Sequence, residues 1–467
     1  MATDEQPRAD EYRSDLEGLR GVAILLVLLF HAGIPGAAGG FVGVDVFFVL
    51  SGFLITGLLV RERERHGRID LPAFYSRRAR RILPAALVTA VVTLAFSLIV
   101  LAPIDLPGVA GDAIASVLSA GNIRFAASSM DYFASETAPS PFLHYWSLGV
   151  EEQFYLVWPA LLILAMRSGR PRLGAGIVLI AVLVGSYAAA NLLTGISAPW
   201  AFYSLPTRAW QLALGGLLAV TATWHMRVPA WIRAPVGWAG LAAILAAVVL
   251  IGPATPYPGV AALLPTIGAA GVVLAGERCW SVASVLTLAP LRFLGRISYS
   301  LYLVHWPLLI LPTADLALGA VLPVGERVAL ALASIVLAAA SYRWVEQPFR
   351  TARAIALPTR RTIALAGAAV AATIVCAAGV DAAGTWELGP YASRATLTSG
   401  PMASGSPDGG IDGPWRRIGS RSPTGNSIRR TRSTRCPRPR VPRPVARTFP
   451  TQAASENARQ CTGCGQG

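Results

Sequence analysis

The sequence contains no lysine and few charged residues of either sign. All 40 basic side chains are arginines, and charged residues occupy only 14% of the 467 positions. We attribute the missing lysine to the codon usage of a GC-rich genome and not to chemistry. Hydrophobic residues reach 54%, with a mean hydropathy of +0.53. Since a soluble domain carries about 25% charged residues, this composition excludes an ordinary soluble enzyme and favours a polytopic membrane protein.

Motifs for metal binding and serine hydrolysis are scarce as well. Cys461 and Cys464 form a C-x-x-C pair, but half of a zinc or redox site without a second pair predicts no metal centre. No G-x-S-x-G segment occurs, so the sequence does not support a serine-hydrolase elbow. We therefore interpret Ser51 and Gly52, which lie in a long apolar run, as a helix-packing contact.

Long apolar runs predict an all-α integral membrane bundle of about 10–11 transmembrane helices, because one crossing needs about 20 apolar residues. Eleven runs of roughly that length lie at 19–38, 41–60, 82–102, 143–166, 173–194, 209–224, 237–252, 259–276, 297–312, 326–344 and 362–380. The first follows an acidic segment, unlike the basic start of a cleavable signal peptide. We interpret it as a retained helix.

The arginines are concentrated in alternate loops. Eight lie in 61–81 and three in 167–172, whereas the loops at 33–41 and 195–207 hold none. Since cytoplasmic loops are enriched in arginine, the pattern predicts a multi-pass membrane protein with a cytoplasmic N-terminus. Eleven crossings then leave the C-terminus extracytoplasmic.

The composition divides the chain into four segments. These are a cytoplasmic N-terminal segment at 1–18, a transmembrane domain at 19–350, an additional transmembrane helix with a linker at 351–383, and a low-complexity tail at 384–467. The tail holds 13 arginines against four acidic residues, which accounts for +9 of the net charge of +15. It has too few large apolar residues to offset its ordering entropy, so we predict disorder. A truncated or frameshifted gene is one hypothesis for this tail, and no nucleic-acid partner is predicted.

A few ionisable residues fall inside the predicted spans, where a charge costs at least about 2.5–3.5 kcal/mol. Arg20 and His31 are eleven residues apart and therefore share one helix face, about 16 Å from each other. We expect Arg20 at the cytoplasmic end and His31 near mid-membrane, where an imidazole can move a proton. Asp45 needs a partner, for which His31 is a candidate, and His305 lies in the ninth run.

Glu151 and Glu152 enter the fourth run together. Consecutive residues on a helix diverge by about 100°, so we expect only one of them to face a cavity, with Tyr155 beside Glu151 at i,i+4. General acid–base chemistry is then possible there. His144, just before this run, is interpreted as a solvated residue at the outer rim.

An arginine cluster precedes the third run. Arg78 and Arg81 share a helix face at i,i+3 and are able to hold a polyphosphate, with Arg77 beside them. Membrane topology and contact with anionic lipid head groups explain arginines here equally well.

Six segments spread over most of the membrane part resemble acyltransferase family 3, the integral-membrane O-acyltransferases. They are YRSDLEGLRGVAILLVLLFHAG, GGFVGVDVFFVLSGFLITGLL, FYSRRARRILPA, FLHYWSLGVEEQFYLVWPALL, GRISYSLYLVHWPLL and VEQPFR. By position, Arg20 and His31 match the family's Arg-x10-His pair, Arg78 and Arg81 its R-x-x-R, and Glu151 its fourth-span glutamate.

The resemblance implies transfer of an acyl group, commonly acetyl, from acyl-coenzyme A to a hydroxyl of a cell-envelope carbohydrate or glycolipid. No permanently bound cofactor is expected, because acetyl-coenzyme A is a substrate. The predicted catalytic residues are His31, Glu151 and Asp45. The predicted coenzyme-binding residues are Arg20, Arg77, Arg78, Arg81 and His305.

The sequences of these segments most resemble a subgroup of the family in which an extra helix leads to an extracytoplasmic SGNH esterase-like domain. The run at 362–380 matches that helix, but the tail shows neither a Gly-Asp-Ser nucleophile motif nor a terminal Asp-x-x-His. We therefore expect a separate SGNH-type partner domain. The alternative to an enzyme is a carbohydrate or lipid carrier without chemistry, since buried charges also occur in transporters.

Overall fold

The computed structural model describes residues 13–130, 139–167, 170–225, 227–276, 281–313, 322–351 and 358–398. Helices dominate these residues, and no strand occurs among them. The C-x-x-C pair and the tail from residue 399 onward, with its predicted disorder, lie outside the described residues.

The α-helices follow one another along the chain with short connections. They are Ser14–His31 (α1), Gly43–His66 (α2), Leu71–Val100 (α3), Leu106–Val117 (α4), Gly121–Ser128 (α5), Tyr145–Ala165 (α6), Pro171–Ile196 (α7), Ala198–Tyr203 (α8), Leu205–Val220 (α9), Ala222–His225 (α10), Ala230–Leu250 (α11), Leu263–Ala275 (α12), Ala283–Leu286 (α13), Ala289–Ile310 (α14), Val324–Ser341 (α15), Gln347–Thr351 (α16) and Thr359–Thr398 (α17).

Each of the eleven predicted runs is a helix in the structure, which confirms the all-α membrane bundle. In the part of the chain that the structure describes, seven helical segments are long and apolar enough to cross a membrane. They are Gly40–His66, Leu71–Val100, Tyr145–Ala165, Pro171–Ile196, Trp231–Leu250, Val324–Arg350 and Thr359–Glu387. The other four runs form α1, α9, α12 and α14.

Two predicted boundaries are wrong. The first run was expected to continue to residue 38, but α1 ends at His31. The segment that follows has Pro35 and two glycines with positive φ, Gly33 at 61° and Gly36 at 86°, so it is apolar without being helical. His31 therefore lies at the end of its helix, not at the middle of a span.

At the other end of the chain, α17 continues to Thr398, although residues 384–398 were assigned to the tail. An established helix gains one hydrogen bond for each residue it adds. The composition change at residue 384 therefore does not stop it.

Neighbouring helices run in the directions that alternate crossing requires. Arg20 of α1 contacts Ser298 of α14, and further along both helices His31 contacts His305. These helices are the first and ninth predicted spans, and they are parallel as expected. The relative directions agree with the predicted topology, while the side on which the N-terminus lies stays a prediction.

Glycines allow the helices that carry the site to approach closely. A Cβ atom added to Gly52 of α2 would lie 1.9 Å from the carbonyl oxygen of Leu212 in α9, and one on Gly215 would lie 2.0 Å from that of Val49. The interpretation of Ser51-Gly52 as a packing contact is confirmed for Gly52. A Cβ on Gly295 of α14 would lie 1.8 Å from a carbonyl oxygen of α1, so both pairs leave no room for a side chain.

Candidate functional site

A cavity of about 260 Å³ lies between five helices, α1, α2, α3, α6 and α14. Four of the predicted catalytic and coenzyme-binding residues line it: Arg20, Arg78, Arg81 and Glu151. Along α2 the lining recurs every three or four residues, which is one helix face. That stripe consists of Val44, Phe47, Leu50, Ser51, Leu54, Ile55, Leu58 and Arg61. Its 17-residue span corresponds to about 26 Å of helix, so the cavity is long and narrow.

One part of the cavity wall is cationic. The lining includes four arginines, Arg20, Arg61, Arg78 and Arg81, and among the described residues none of them has a carboxylate within 4.0 Å. Buried charges in proteins are normally paired. Arg20, Arg78 and Arg81 are partly buried, whereas Arg61 is exposed. An anionic ligand in the cavity would therefore supply the partner that the first three lack.

The contacts of two arginines orient them without neutralising them. Arg20 donates from Nη2 to the Ser298 hydroxyl at 2.7 Å. The guanidinium of Arg78 lies over the Tyr155 ring, 4.0 Å from its centre, and its Nε is buried without a hydrogen-bond partner. Arg78 and Arg81 share a face of α3, as the i,i+3 spacing predicted.

Arg77 is separated from its neighbours. It pairs with Glu62 at 3.0 Å, is 45% exposed and does not line the cavity. The structure therefore does not bring Arg77 to the predicted coenzyme site, because one residue along α3 turns the side chain by about 100°.

Glu151 accepts two hydrogen bonds from hydroxyl groups of the cavity wall. The Ser51 hydroxyl donates to Oε1 and the Tyr155 hydroxyl to Oε2, each at 3.0 Å. The predicted i,i+4 contact with Tyr155 is confirmed. Both oxygens of the Glu151 carboxyl group thus have a hydroxyl partner in the cavity wall.

The expectation that only one of the two adjacent glutamates faces a cavity is wrong. Glu152 lines the same cavity as Glu151 and also borders a second one between α3 and α6. The two carboxylates diverge around α6 as expected, but the open space wraps around the helix and reaches both of them.

His31 and His305 meet beyond the lining of this cavity. Nδ1 of His31 lies 2.9 Å from Nε2 of His305, and Nδ1 of His305 lies 2.9 Å from the carbonyl oxygen of Leu301. His305 is completely buried, whereas His31 is partly exposed. Neither borders the arginine-lined space, so the structure does not place His305 where a coenzyme contact was predicted. Tyr302 borders the cavity, and its ring lies 5.5 Å from that of His305.

His144 is buried, contrary to the interpretation as a solvated residue. It is 3% exposed, and its Nε2 donates to the carbonyl oxygen of Leu303 at 3.0 Å. Position 307, four residues further along α14, is Pro307, which has no N–H to bond that carbonyl. His144 donates to the Leu303 carbonyl in place of the missing N–H. The proline in the H-W-P segment was the sequence signal that this carbonyl requires another donor.

Asp45 lies in a separate polar cluster, so the expected partnership with His31 is wrong. Its carboxylate pairs with Arg208 of α9 at 3.0 Å and also accepts from Gln211 and Tyr257. Asp45 and Arg208 are each 1% exposed, and Asp45 does not line the cavity. A buried acid with so many donors fits a structural role that joins α2 to α9.

Sequence reasoning missed two residues near these clusters. Arg208 directly precedes the sixth run and follows a loop that has no arginine. An isolated arginine at that end of a membrane helix was the available signal for a buried ion pair. Glu346, in the VEQPFR segment, is 2% exposed, lies in a π-helical turn and accepts from Ser300 at 2.9 Å. Single-turn π-helices often occur at functional sites.

These features define a helical membrane protein with an arginine-lined cavity and a histidine pair on parallel helices. Residues 13–343 match the family described as Acyltransferase domain, and the chain belongs to this family, acyltransferase family 3.

Two curated relatives carry more specific names. The chain is 31% identical over 350 residues to the peptidoglycan O-acetyltransferase OatA of Listeria monocytogenes, covering 73% of this chain and 56% of the relative. It is 31% identical over 356 residues to the O-acetyltransferase OatA of Staphylococcus aureus, covering 74% and 58%. The chain thus matches little more than half the length of these relatives. No solved structure matches it.

Proposed function

We propose that this protein is a membrane-bound O-acetyltransferase that moves an acetyl group from acetyl-coenzyme A to a hydroxyl of a cell-envelope carbohydrate. Family membership supports acyl transfer, and the names of the relatives favour peptidoglycan as the acceptor over other glycans. A non-catalytic carrier explains the buried charges but not the membership in an acyltransferase family.

The unpaired arginines carry the proposal of a coenzyme A donor. Coenzyme A bears several phosphates, and guanidinium groups bind phosphate through charge-assisted, often bidentate hydrogen bonds. Arg20, Arg61, Arg78 and Arg81 line one cavity without carboxylate partners. The remaining lining along α2 is mainly apolar and extended, which suits the narrow pantetheine arm that carries the thioester.

The reaction requires a hydroxyl oxygen to attack the thioester carbonyl. A carbon–oxygen bond forms, the carbon–sulfur bond breaks, and the proton of the hydroxyl passes through a base to the departing thiolate. His31 is the proposed catalytic residue, acting either as that base or as a transient carrier of the acetyl group. Glu151 holds the hydroxyls of Ser51 and Tyr155 at the wall of the donor cavity.

The location proposed for this reaction is the bacterial inner membrane, with the N-terminus cytoplasmic and the C-terminus outside. The arginines of the cavity then face the coenzyme pool, and the histidine pair, outside the cavity lining, lies on the side of the envelope glycan. An SGNH-type partner domain is the proposed next acceptor of the acetyl group.

Label transfer tests the proposal. Purified wild type and His31→Ala are each supplied with acetyl-coenzyme A labelled in the acetyl group and with a peptidoglycan fragment, and transfer and hydrolysis are measured separately. His66→Ala is the matched control, because His66 is exposed at the end of α2. We expect transfer by wild type and by His66→Ala, and its loss in His31→Ala. Equal transfer by all three would refute the role of His31, and absence of coenzyme A binding in wild type would refute the donor.

A further inference from the structure

We propose that His305 is a positioning residue that holds His31 in the tautomer with its proton on Nδ1, which leaves Nε2 of His31 as the proton-accepting or acyl-accepting atom. This inference rests on the proposed function of His31 and adds which atom reacts and what selects it. The contacts of the two rings determine the assignment.

The assignment starts at the carbonyl oxygen of Leu301. A carbonyl only accepts hydrogen bonds, so Nδ1 of His305, 2.9 Å away, must carry a proton. In a neutral imidazole the other nitrogen is then an acceptor. A second proton would make His305 a cation with no exposed surface, and among the described residues no carboxylate lies within 4.0 Å of it. Burial without a counter-ion keeps His305 neutral.

The position of the proton on His31 follows from that on His305. Nε2 of His305 accepts, and it lies 2.9 Å from Nδ1 of His31, so His31 must donate from Nδ1. In histidine the hydrogen bond made by one ring nitrogen sets the protonation of the other. Nε2 of His31 is therefore left with a free lone pair.

The surroundings keep the His31 ring in this orientation. The Trp306 ring meets it edge-on with centres 4.6 Å apart, and the centre of the hydrogen-bonded His305 ring lies 5.1 Å away, with 28° between the ring planes. Directly after His31, the guanidinium of Arg327 donates to the carbonyl oxygens of Ala32 and Gly33 at 3.0 and 2.8 Å. These contacts fix the end of α1, so the tautomer also determines the direction in which Nε2 points.

The arrangement has the logic of a hydrolase triad without a carboxylate. In such a triad, the carboxylate accepts a hydrogen bond from the histidine and holds its ring in the correct tautomer. The wrong tautomer lowers kcat by about 10⁴-fold. Here a second histidine, itself fixed by a backbone carbonyl, takes the acceptor position. Its placement depends on the close packing of α1 against α14.

Nitrogen NMR of the full-length protein in lipid bilayers tests the proposal without reference to turnover. The sequence has only five histidines, so ¹⁵N-histidine labelling gives few signals, and His31→Gln identifies the signal of His31. We expect wild-type His31 to show a protonated Nδ1 and an unprotonated Nε2. Wild-type His31 with its proton on Nε2 would overturn the proposal, whatever the activity.

Two substitutions at position 305 separate tautomer control from simple packing. His305→Leu removes the acceptor, and His305→Gln offers its amide oxygen in place of Nε2. We expect His305→Leu to release the His31 tautomer and to lower kcat for acetyl transfer by about 10²–10⁴-fold, the range of general acid–base catalysis, with KM for acetyl-coenzyme A changed less than about twofold. His305→Gln should restore the tautomer and most of kcat.

An unchanged His31 tautomer in His305→Leu would contradict the proposal, and so would a released tautomer in His305→Gln. If the tautomer is as expected but His31→Ala still transfers acetyl, the proposed function of His31 fails while the hydrogen-bond assignment stands. The two failures are therefore distinguishable.

Discussion

Arg78→Gln should weaken coenzyme A binding strongly, whereas the same change at the adjacent Arg77 should not. Arg78 lines the donor cavity and stacks on Tyr155, with its Nε buried and unpartnered. Arg77 points to solvent and pairs with Glu62. The two substitutions remove the same charge from neighbouring positions of one helix, so the difference between them isolates contact with the ligand.

The magnitude follows from the type of bond that is lost. A hydrogen bond to a charged group contributes about 1.5–3 kcal/mol, and each 1.4 kcal/mol changes an equilibrium constant tenfold. We therefore expect Kd for coenzyme A to rise about 10- to 150-fold in Arg78→Gln. An exposed ion pair contributes about 0–1 kcal/mol, so Arg77→Gln should change Kd by less than about threefold.

Calorimetric titration of the detergent-solubilised protein with coenzyme A measures both constants. Raising the salt concentration should weaken binding to wild type more than to Arg78→Gln, because the variant has lost one of the charges that salt screens. Thermal unfolding of both variants checks that they fold. Equal loss of affinity in the two variants, or no loss in Arg78→Gln, would refute the assignment of the cavity to the coenzyme.

Three further predictions address the packing and the chemistry. Gly295→Ala should lower the free energy of unfolding by about 1–3 kcal/mol or more, because the added Cβ would meet the backbone of α1. Gly367→Ala is the control in thermal unfolding, since the space around Gly367 is open. Equal shifts of the unfolding temperature in the two variants would contradict the packing argument. Arg208→Met should destabilise by about 3–5 kcal/mol, since it leaves the Asp45 carboxylate buried without its partner, and adding Asp45→Leu should recover part of that loss in the same unfolding assay. Glu151→Gln should slow single-turnover acetyl transfer by about 100-fold with coenzyme A affinity nearly unchanged, and a normal transfer rate would exclude Glu151 from the chemistry.

The motifs contain most of the charged residues that line the cavity. Arg20, Arg78, Arg81 and Glu151 come from three different helices and converge on one space, as the resemblance to the acyltransferase family implied. The site prediction included Arg77, which pairs with Glu62 and does not line the cavity. The resemblance to the family thus indicated residues that line the cavity, and helix periodicity would have left out Arg77.

The polar clusters around the cavity were not predictable in the same way. Asp45 was expected to meet His31 because the two lie on consecutive helices, but it pairs with Arg208, 163 residues further along the chain. His144 was interpreted as a residue at the outer rim because it lies close to a loop in the sequence. Instead, it donates a hydrogen bond to the carbonyl oxygen of Leu303, which Pro307 cannot bond. Partners of buried polar groups depend on which helices touch, and periodicity within one helix carries no such information.

The sequence by itself determined that this chain is a helical membrane protein of the acyltransferase family, because apolar run length, arginine distribution and motif spacing are local properties of the chain. Only the tertiary structure decided that His305 faces His31 and not the arginine-lined cavity. That contact joins residues 274 positions apart and requires α1 and α14 to lie side by side. The glycine at position 295 permits this approach, and the hydrogen bonds of the two imidazoles then determine the proposed position of the proton.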